Sequence, residues 1–129
     1  MLSIPDRFQS DKESVFSILK NKNPNILAVH RLDKDTSGVI CFAKNPTTHR
    51  ILNTKFENRL IQKYYLAVCE SQPPEESGII EAPIAHSSSQ DGKMLIHPKG
   101  KAALTKFRIK ELWRNFCLLE LKPETGRTH

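Results

Sequence analysis

Cysteine is scarce in this chain of 129 residues: Cys41, Cys69 and Cys117 stand far apart, odd in number and never in a CxxC pair. That usage excludes a disulfide scaffold and a zinc finger, and predicts reduced, partly buried thiols. The five histidines show no metal-ligand spacing, so no metal is expected. No apolar run is long enough to cross a bilayer. The N-terminus, Met1-Leu2-Ser3-Ile4-Pro5-Asp6-Arg7, meets a proline and an acid before any signal-peptide core could form. A cytoplasmic location, with no membrane partner, is the expectation. Internal repeats and low-complexity tracts are absent too, and with no glycine-rich phosphate cradle or metal cluster a hydrolase transferring phosphate through an aspartyl intermediate has no support.

What is present is an ordinary globular balance, with 38% hydrophobic and 26% charged residues. The length fits one domain with a modest core, small for an enzyme acting on a polymer. A formal net charge of +6 and a pI of about 9.4 favour a polyanionic partner. Many cytosolic proteins are as basic, so charge alone does not assign nucleic acid.

Periodicity predicts the elements. Ser10 and Glu13 form a capping-box pair ahead of Val15, Phe16, Ile18 and Leu19, giving a helix over about 11 to 20, stopped by Asn21 to Pro24. The apolar runs Ile26 to Val29 and Val39 to Ala43 read as strands around the polar stretch His30 to Gly38. Asn45 with Pro46 is an N-cap and first helical residue, and Leu52, Phe56 and Leu60 carry that helix to about Arg59. Lys63 to Val68 alternates as a strand with Lys63, Tyr65 and Ala67 on one face, and Gln72 to Gly78 reads as a connection. Met94 to Ile96 is a further strand. Ala103, Thr105, Phe107 and Ile109 alternate with Leu104, Lys106, Arg108 and Lys110, one face buried and the other a basic stripe. Phe116 to Leu121 is the antiparallel partner, joined around Glu111 to Asn115. The expected fold class is α+β, a largely antiparallel mixed sheet with two packed helices.

The stretch that could carry chemistry is His30-Arg31-Leu32-Asp33-Lys34-Asp35-Thr36-Ser37-Gly38. By residue type alone it is a solvated turn, since Asp, Thr, Ser and Gly are all turn formers. Its order resembles the signature of RluA-type pseudouridine synthases, in which HRLD, two variable positions and TSG introduce an apolar strand, here followed by VICFAK. Gln62-Lys63-Tyr64-Tyr65-Leu66-Ala67-Val68 is similar to that family's Lys-x-Tyr-x-Ala strand. Lys93-Met94 with Gly100-Lys101-Ala102-Ala103-Leu104-Thr105 resembles its "KM…GK.A.T" hairpin, and Thr125-Gly126-Arg127-Thr128-His129 matches the start of TGRTHQ(I/L)R. The matches are collinear and span nearly the whole chain.

The resemblance implies an enzyme that cleaves the N-glycosidic bond of an RNA uridine, turns the uracil and rejoins its C5 to the ribose, with the base extruded from its stack. It implies Asp33 as nucleophile. A free carboxylate, with pKa about 3.9, is anionic at neutral pH and needs no general base, and covalent attack splits one hard step into two. No redox change or hydride transfer is involved, so no cofactor is required. Asp35 is the nearby rival, read as a turn residue capping local backbone N–H groups before Gly38.

Tyr65 maps to the family's active-site tyrosine, stacking on uracil and helping proton movement at C5; without the motif its position reads as a strand core aromatic. Arg31, two positions before Asp33, resembles a wedge that fills the space of the flipped base or orients RNA, with an ordinary salt bridge as the other reading. His30 is expected to fix the loop by hydrogen bonding, Thr36 and Ser37 to pin it, and Gly38 to permit the turn. Arg127 is assigned to holding structure or phosphate near the site. Lys106, Arg108 and Lys110 are open to two readings, RNA backbone contact or a solvated strand face.

Against the family pattern, an earlier strand with Lys-Pro-x-Gly and a later Gln-(Ile/Leu)-Arg are not in this sequence. That arginine is the family's usual ion-pair partner for the catalytic aspartate, so residues 1–129 are expected to be a partial catalytic domain, inactive by themselves. The expected partner is ribosomal or transfer RNA, and the chain is expected to be a monomer. The competing reading is an RNA-binding fragment or degenerate paralogue without catalysis.

Overall fold

The structure, a computed structural model, describes residues 1–5, 12–87 and 93–127. It divides into two compact units, Met1–Ile61 and Gln62–His129.

The first unit contains α1 (Val15–Lys22), β1 (Leu27–Ala28), β2 (Phe42–Ala43) and α2 (Pro46–Glu57). Ser14 caps α1 with φ −133° and ψ 160°. Its Oγ accepts the Ser17 N–H at 3.1 Å, and Ser17 Oγ accepts the Ser14 N–H at 2.8 Å. This is a capping box built from two serines. The helix therefore starts four residues later than the Ser10–Glu13 pattern predicts. Ser10 itself lies outside the described residues. Burial decides the start, because Ser14 is fully enclosed and has both of its polar groups satisfied.

The two strands of this unit are shorter than expected. Only Leu27↔Ala43 and Ala28↔Phe42 pair, and Val39 is 90% exposed. With no other strand beside β1 and β2 among the described residues, the apolar run from Val39 has no ladder to join until it reaches Phe42. Ile26 and Ala43 are buried against this ladder. Phe16 of α1 meets Phe42 with ring centroids 6.1 Å apart, and His49 of α2 donates through Nε2 to the Ala28 carbonyl at 3.0 Å.

Asn45 caps α2 as predicted, its Oδ1 accepting the Thr48 N–H at 2.8 Å, with Pro46 at the first position. At the other end Leu60 N–H reaches Lys55 O (2.8 Å) and Arg59 N–H reaches Phe56 O (3.1 Å), a Schellman motif. Leu60 thus falls past the helix and is exposed. The left-handed position is filled by Arg59, φ +57°, where glycine would carry no Cβ penalty. Arg59→Gly is expected to raise stability by about 1 kcal/mol, read as a higher thermal midpoint; an unchanged or lower midpoint would contradict that cost.

The second unit holds β3 (Tyr65–Glu70), β4 (Ser77–Glu81), β5 (Ile84–His86), β6 (Met94–Ile96), β7 (Leu104–Leu112) and β8 (Phe116–Pro123). Four strands form an antiparallel sheet in the order β3-β8-β7-β4, and β5 with β6 forms a hairpin. β7 and β8 are the predicted pair, closed by Trp113 N–H to Phe116 O at 2.9 Å. Cys117 and Leu119 are buried on the apolar face, which also carries Ala67 and Cys69 across β3 and Phe107 and Ile109 across β7. A β-bulge between Ile109 and Glu111 then shifts the alternation.

β4 begins inside the stretch read as a connection, and β5 was not anticipated. Gly78 explains part of this: opposite Phe107, its added Cβ would lie 2.8 Å from the ring. A glycine that looks like a loop residue is there to let an aromatic ring cross the strand. The architecture is α+β with antiparallel ladders, as predicted, although both helices belong to the first unit and pack there on β1–β2.

Candidate functional site

The polar stretch His30 to Gly38 spans the gap between β1 and β2 in the first unit. Its start is fixed by the His30 ring, whose Nε2 accepts the Cys41 N–H at 3.0 Å. The ring stacks on Phe56 of α2, centroids 4.8 Å apart and planes at 26°. A ring nitrogen that accepts a backbone N–H carries no proton, so the imidazole proton belongs on Nδ1. The His30 ring thus contacts Cys41 by hydrogen bond and Phe56 by stacking.

Two residues on, the Leu32 backbone is bracketed by one hydroxyl. Ser3 Oγ donates to Leu32 O at 2.9 Å and accepts from Leu32 N–H at 3.1 Å. Thr36 N–H then donates to Asp33 O at 3.0 Å and closes a turn. Gly38 leaves that turn at φ +143°, a conformation L side chains rarely adopt. Asp33 is thus held through the backbone on both sides. Its side chain is half-buried, and its carboxylate has no hydrogen bond or ion pair among the described residues.

Asp35 corrects an expectation. It is exposed and its side chain caps no backbone N–H among the described residues, because the Thr36 N–H is satisfied by Asp33 O instead. Arg31 is exposed and has no ion pair among the described residues. Ser3, Phe56 and the Cys41 N–H escaped the sequence reading. The Ser3–Leu32 pair spans 29 residues, and no local pattern encodes such a bond.

Asp33, Arg31, His30 and Thr36 share this loop, whereas Tyr65 and Arg127 belong to the second unit. Tyr65 opens β3 opposite Leu121 and lies half-buried on the apolar face. Its hydroxyl has no hydrogen-bond partner among the described residues. On the same face, burial pushes the Cys69 thiol up, and the cross-strand Cys117 adds to the effect. The thiol stays protonated and is no nucleophile. All three cysteines are free, as predicted, with Cys117 fully buried.

Arg127 is exposed and donates through Nε to Ala102 O at 3.2 Å, while Thr125 Oγ1 accepts the Leu104 N–H at 3.2 Å. The Thr-Gly-Arg turn is thereby tied to the start of β7. Thr128 and His129 of that motif lie outside the described residues.

The basic stripe on β7 is not free charge. Lys106 pairs with Glu124 at 3.2 Å, Arg108 with Glu120 at 3.0 Å and Lys110 with Glu120 at 4.0 Å, and Lys122 meets Glu124 at 3.6 Å. The Lys106 hydrogen bond, helped by Lys122, holds the Glu124 carboxyl below the ordinary glutamate range. A depressed carboxyl contributes stability above its unfolded pKa, about 4.3, and loses it as pH falls through the folded value. Glu124→Gln is expected to flatten the acid limb of a thermal-midpoint profile below about pH 5; an unaltered limb would rule the pair out as a contributor.

Among the described residues no group of three His, Cys, Asp or Glu could hold a metal, and no helix is long and apolar enough to cross a membrane. The family model described as RNA pseudouridylate synthase matches residues 2–129. The ribosomal large subunit pseudouridine synthase D of Haemophilus ducreyi is 40% identical over 106 residues, covering 82% of this chain and 32% of that protein. The dual-specificity RNA pseudouridine synthase RluA of Vibrio vulnificus is 34% identical over 135 residues, covering 100% of this chain and 54% of that protein. Among solved structures, human RNA pseudouridylate synthase domain containing 1 superposes with a TM-score of 0.77 at 28% identity, covering 90% of this chain and 52% of the other. The chain spans about a third to a half of the length of these curated relatives. With its four collinear motifs and a family match running from Leu2 to the last residue, the chain belongs to the RluA-type RNA pseudouridylate synthases.

Proposed function

We propose that these residues form part of the catalytic domain of a cytoplasmic enzyme that isomerises uridine to pseudouridine in structured ribosomal or transfer RNA, with Asp33 as nucleophile and no cofactor. The observation that carries this reading is the carboxylate of the half-buried residue Asp33, unpaired among the described residues, on a backbone pinned by Ser3 and Thr36. A reaction that needs an anionic oxygen at a defined point is served by rigid backbone and an uncommitted side chain.

In this reading the uridine is extruded from its stack. An Asp33 oxygen bonds to C1′ as the N1–C1′ bond breaks, the uracil turns, its C5 attacks C1′ and displaces the carboxylate, and C5 loses a proton while N1 gains one, so atoms and electrons balance with no co-reactant. Tyr65 supplies a ring face for the base and a hydroxyl for the proton at C5. Arg31 occupies the place the base has left. Arg127 holds the turn after β8 and has guanidinium donors left for phosphate.

The names of the relatives, one acting on the ribosomal large subunit and one of dual specificity, favour RNA of these two kinds. Incubating the full gene product with unmodified ribosomal and transfer RNA transcripts carrying tritium at uracil C5 is expected to release tritium from at least one. Release from neither, with RNA still bound, would favour a binding protein without catalysis.

A further inference from the structure

We propose that Ser3 is a positioning residue for the Asp33 chemistry, an inference that rests on Asp33 being the nucleophile. Its one hydroxyl both donates to and accepts from the Leu32 backbone, at 2.9 and 3.1 Å. Those two bonds fix the residue immediately before Asp33, and Thr36 N–H to Asp33 O fixes the Asp33 carbonyl. The Asp33 Cα is therefore set from both directions while its side chain stays unbonded among the described residues.

Ser3 can do this because it is itself anchored. The Leu2 and Ser3 carbonyls accept from the Val15 and Phe16 N–H groups at 2.9 and 3.1 Å. These are N–H groups of the first turn of α1, which would otherwise lack intrahelical partners. Leu2 also bridges Ser14, the fully buried cap of the same helix. A chain of hydrogen bonds thus runs from the start of α1 through residues 2 and 3 to the peptide that carries the nucleophile. None of the chemistry falls on Ser3; its hydroxyl sets where the Asp33 oxygen stands.

The test uses the full gene product, the C5-tritium release assay and amide hydrogen exchange. Ser3→Ala and Ser3→Cys are expected to lower kcat about tenfold, an effect of the size that misplacing a reacting group causes, with KM for RNA within about twofold. Ser3→Thr, which keeps the hydroxyl, is expected to restore most of kcat. In the wild-type protein the Leu32 amide is expected to exchange slowly, since Ser3 holds it.

Wild-type kcat in Ser3→Ala while Asp33→Asn is inactive would overturn the inference and leave the nucleophile standing. Full turnover in Asp33→Asn would overturn both. Rapid exchange of the wild-type Leu32 amide would overturn the inference even if the variants fail to fold. A raised KM with unchanged kcat would do so too, as it would assign Ser3 to RNA binding.

Discussion

Asp33→Asn in the full gene product is expected to lower turnover by at least about 10³-fold, with RNA binding retained, as removal of a nucleophile does elsewhere. Asparagine keeps the size and shape of the side chain and discards its charge. Because the structure gives the carboxylate no hydrogen bond or ion pair among the described residues, the substitution strands no partner, and the fold should be undisturbed. A thermal midpoint close to wild type separates loss of chemistry from loss of structure. Asp35→Asn is the matched control two residues away. Its side chain is exposed and holds nothing among the described residues, so activity is expected to persist. Turnover lost in Asp35→Asn and kept in Asp33→Asn would reverse the assignment.

Tyr65 carries the second large effect, and two substitutions divide it. Tyr65→Phe keeps the ring and removes a hydroxyl that has no partner among the described residues. It is expected to lower kcat about 10²-fold, the scale of a lost proton-transfer group, with little change in RNA affinity. Tyr65→Ala also removes the stacking face and is expected to weaken binding further, by about 1–3 kcal/mol for one base. Tyr65 lies half-buried opposite Leu121, so some stability is lost with the ring, and melting of the alanine variant must be followed in parallel. Unchanged turnover and binding in Tyr65→Ala would reduce this residue to a core aromatic.

The fold was legible where local chemistry and tertiary context agree. Asn45-Pro46 and the spacing of Leu52 and Phe56 define α2 because cap, first position and apolar stripe all say helix. The β7–β8 pair was legible because alternation over two long strands puts their apolar residues on one face, where Ile109 stands opposite the buried Leu119. The start of α1 misled, since Ser10 with Glu13 has the commoner capping-box composition while Ser14 and Ser17 form the bonds. β4 and β5 were hidden by prolines on either side and by Gly78, whose reason lies across the sheet in Phe107. At the site, residue order singled out Asp33, His30, Thr36 and Gly38, and the structure gives His30 a ring bond to Cys41 N–H, Thr36 a backbone bond to Asp33 O and Gly38 a positive φ. Ser3 and Phe56 were invisible, as their contacts with Leu32 and His30 exist only after folding.

The ion-pair ladder on β7 and β8 bears on how RNA binding responds to added salt. Lysines and arginines that meet phosphate drive association by expelling condensed cations from the nucleic acid, and affinity falls steeply with ionic strength in proportion to their number. Lys106, Arg108, Lys110 and Lys122 already share two glutamates. A polyanion approaching that strand face meets four cations with half their charge offset by two glutamates, and would have to compete with those carboxylates for the same side chains.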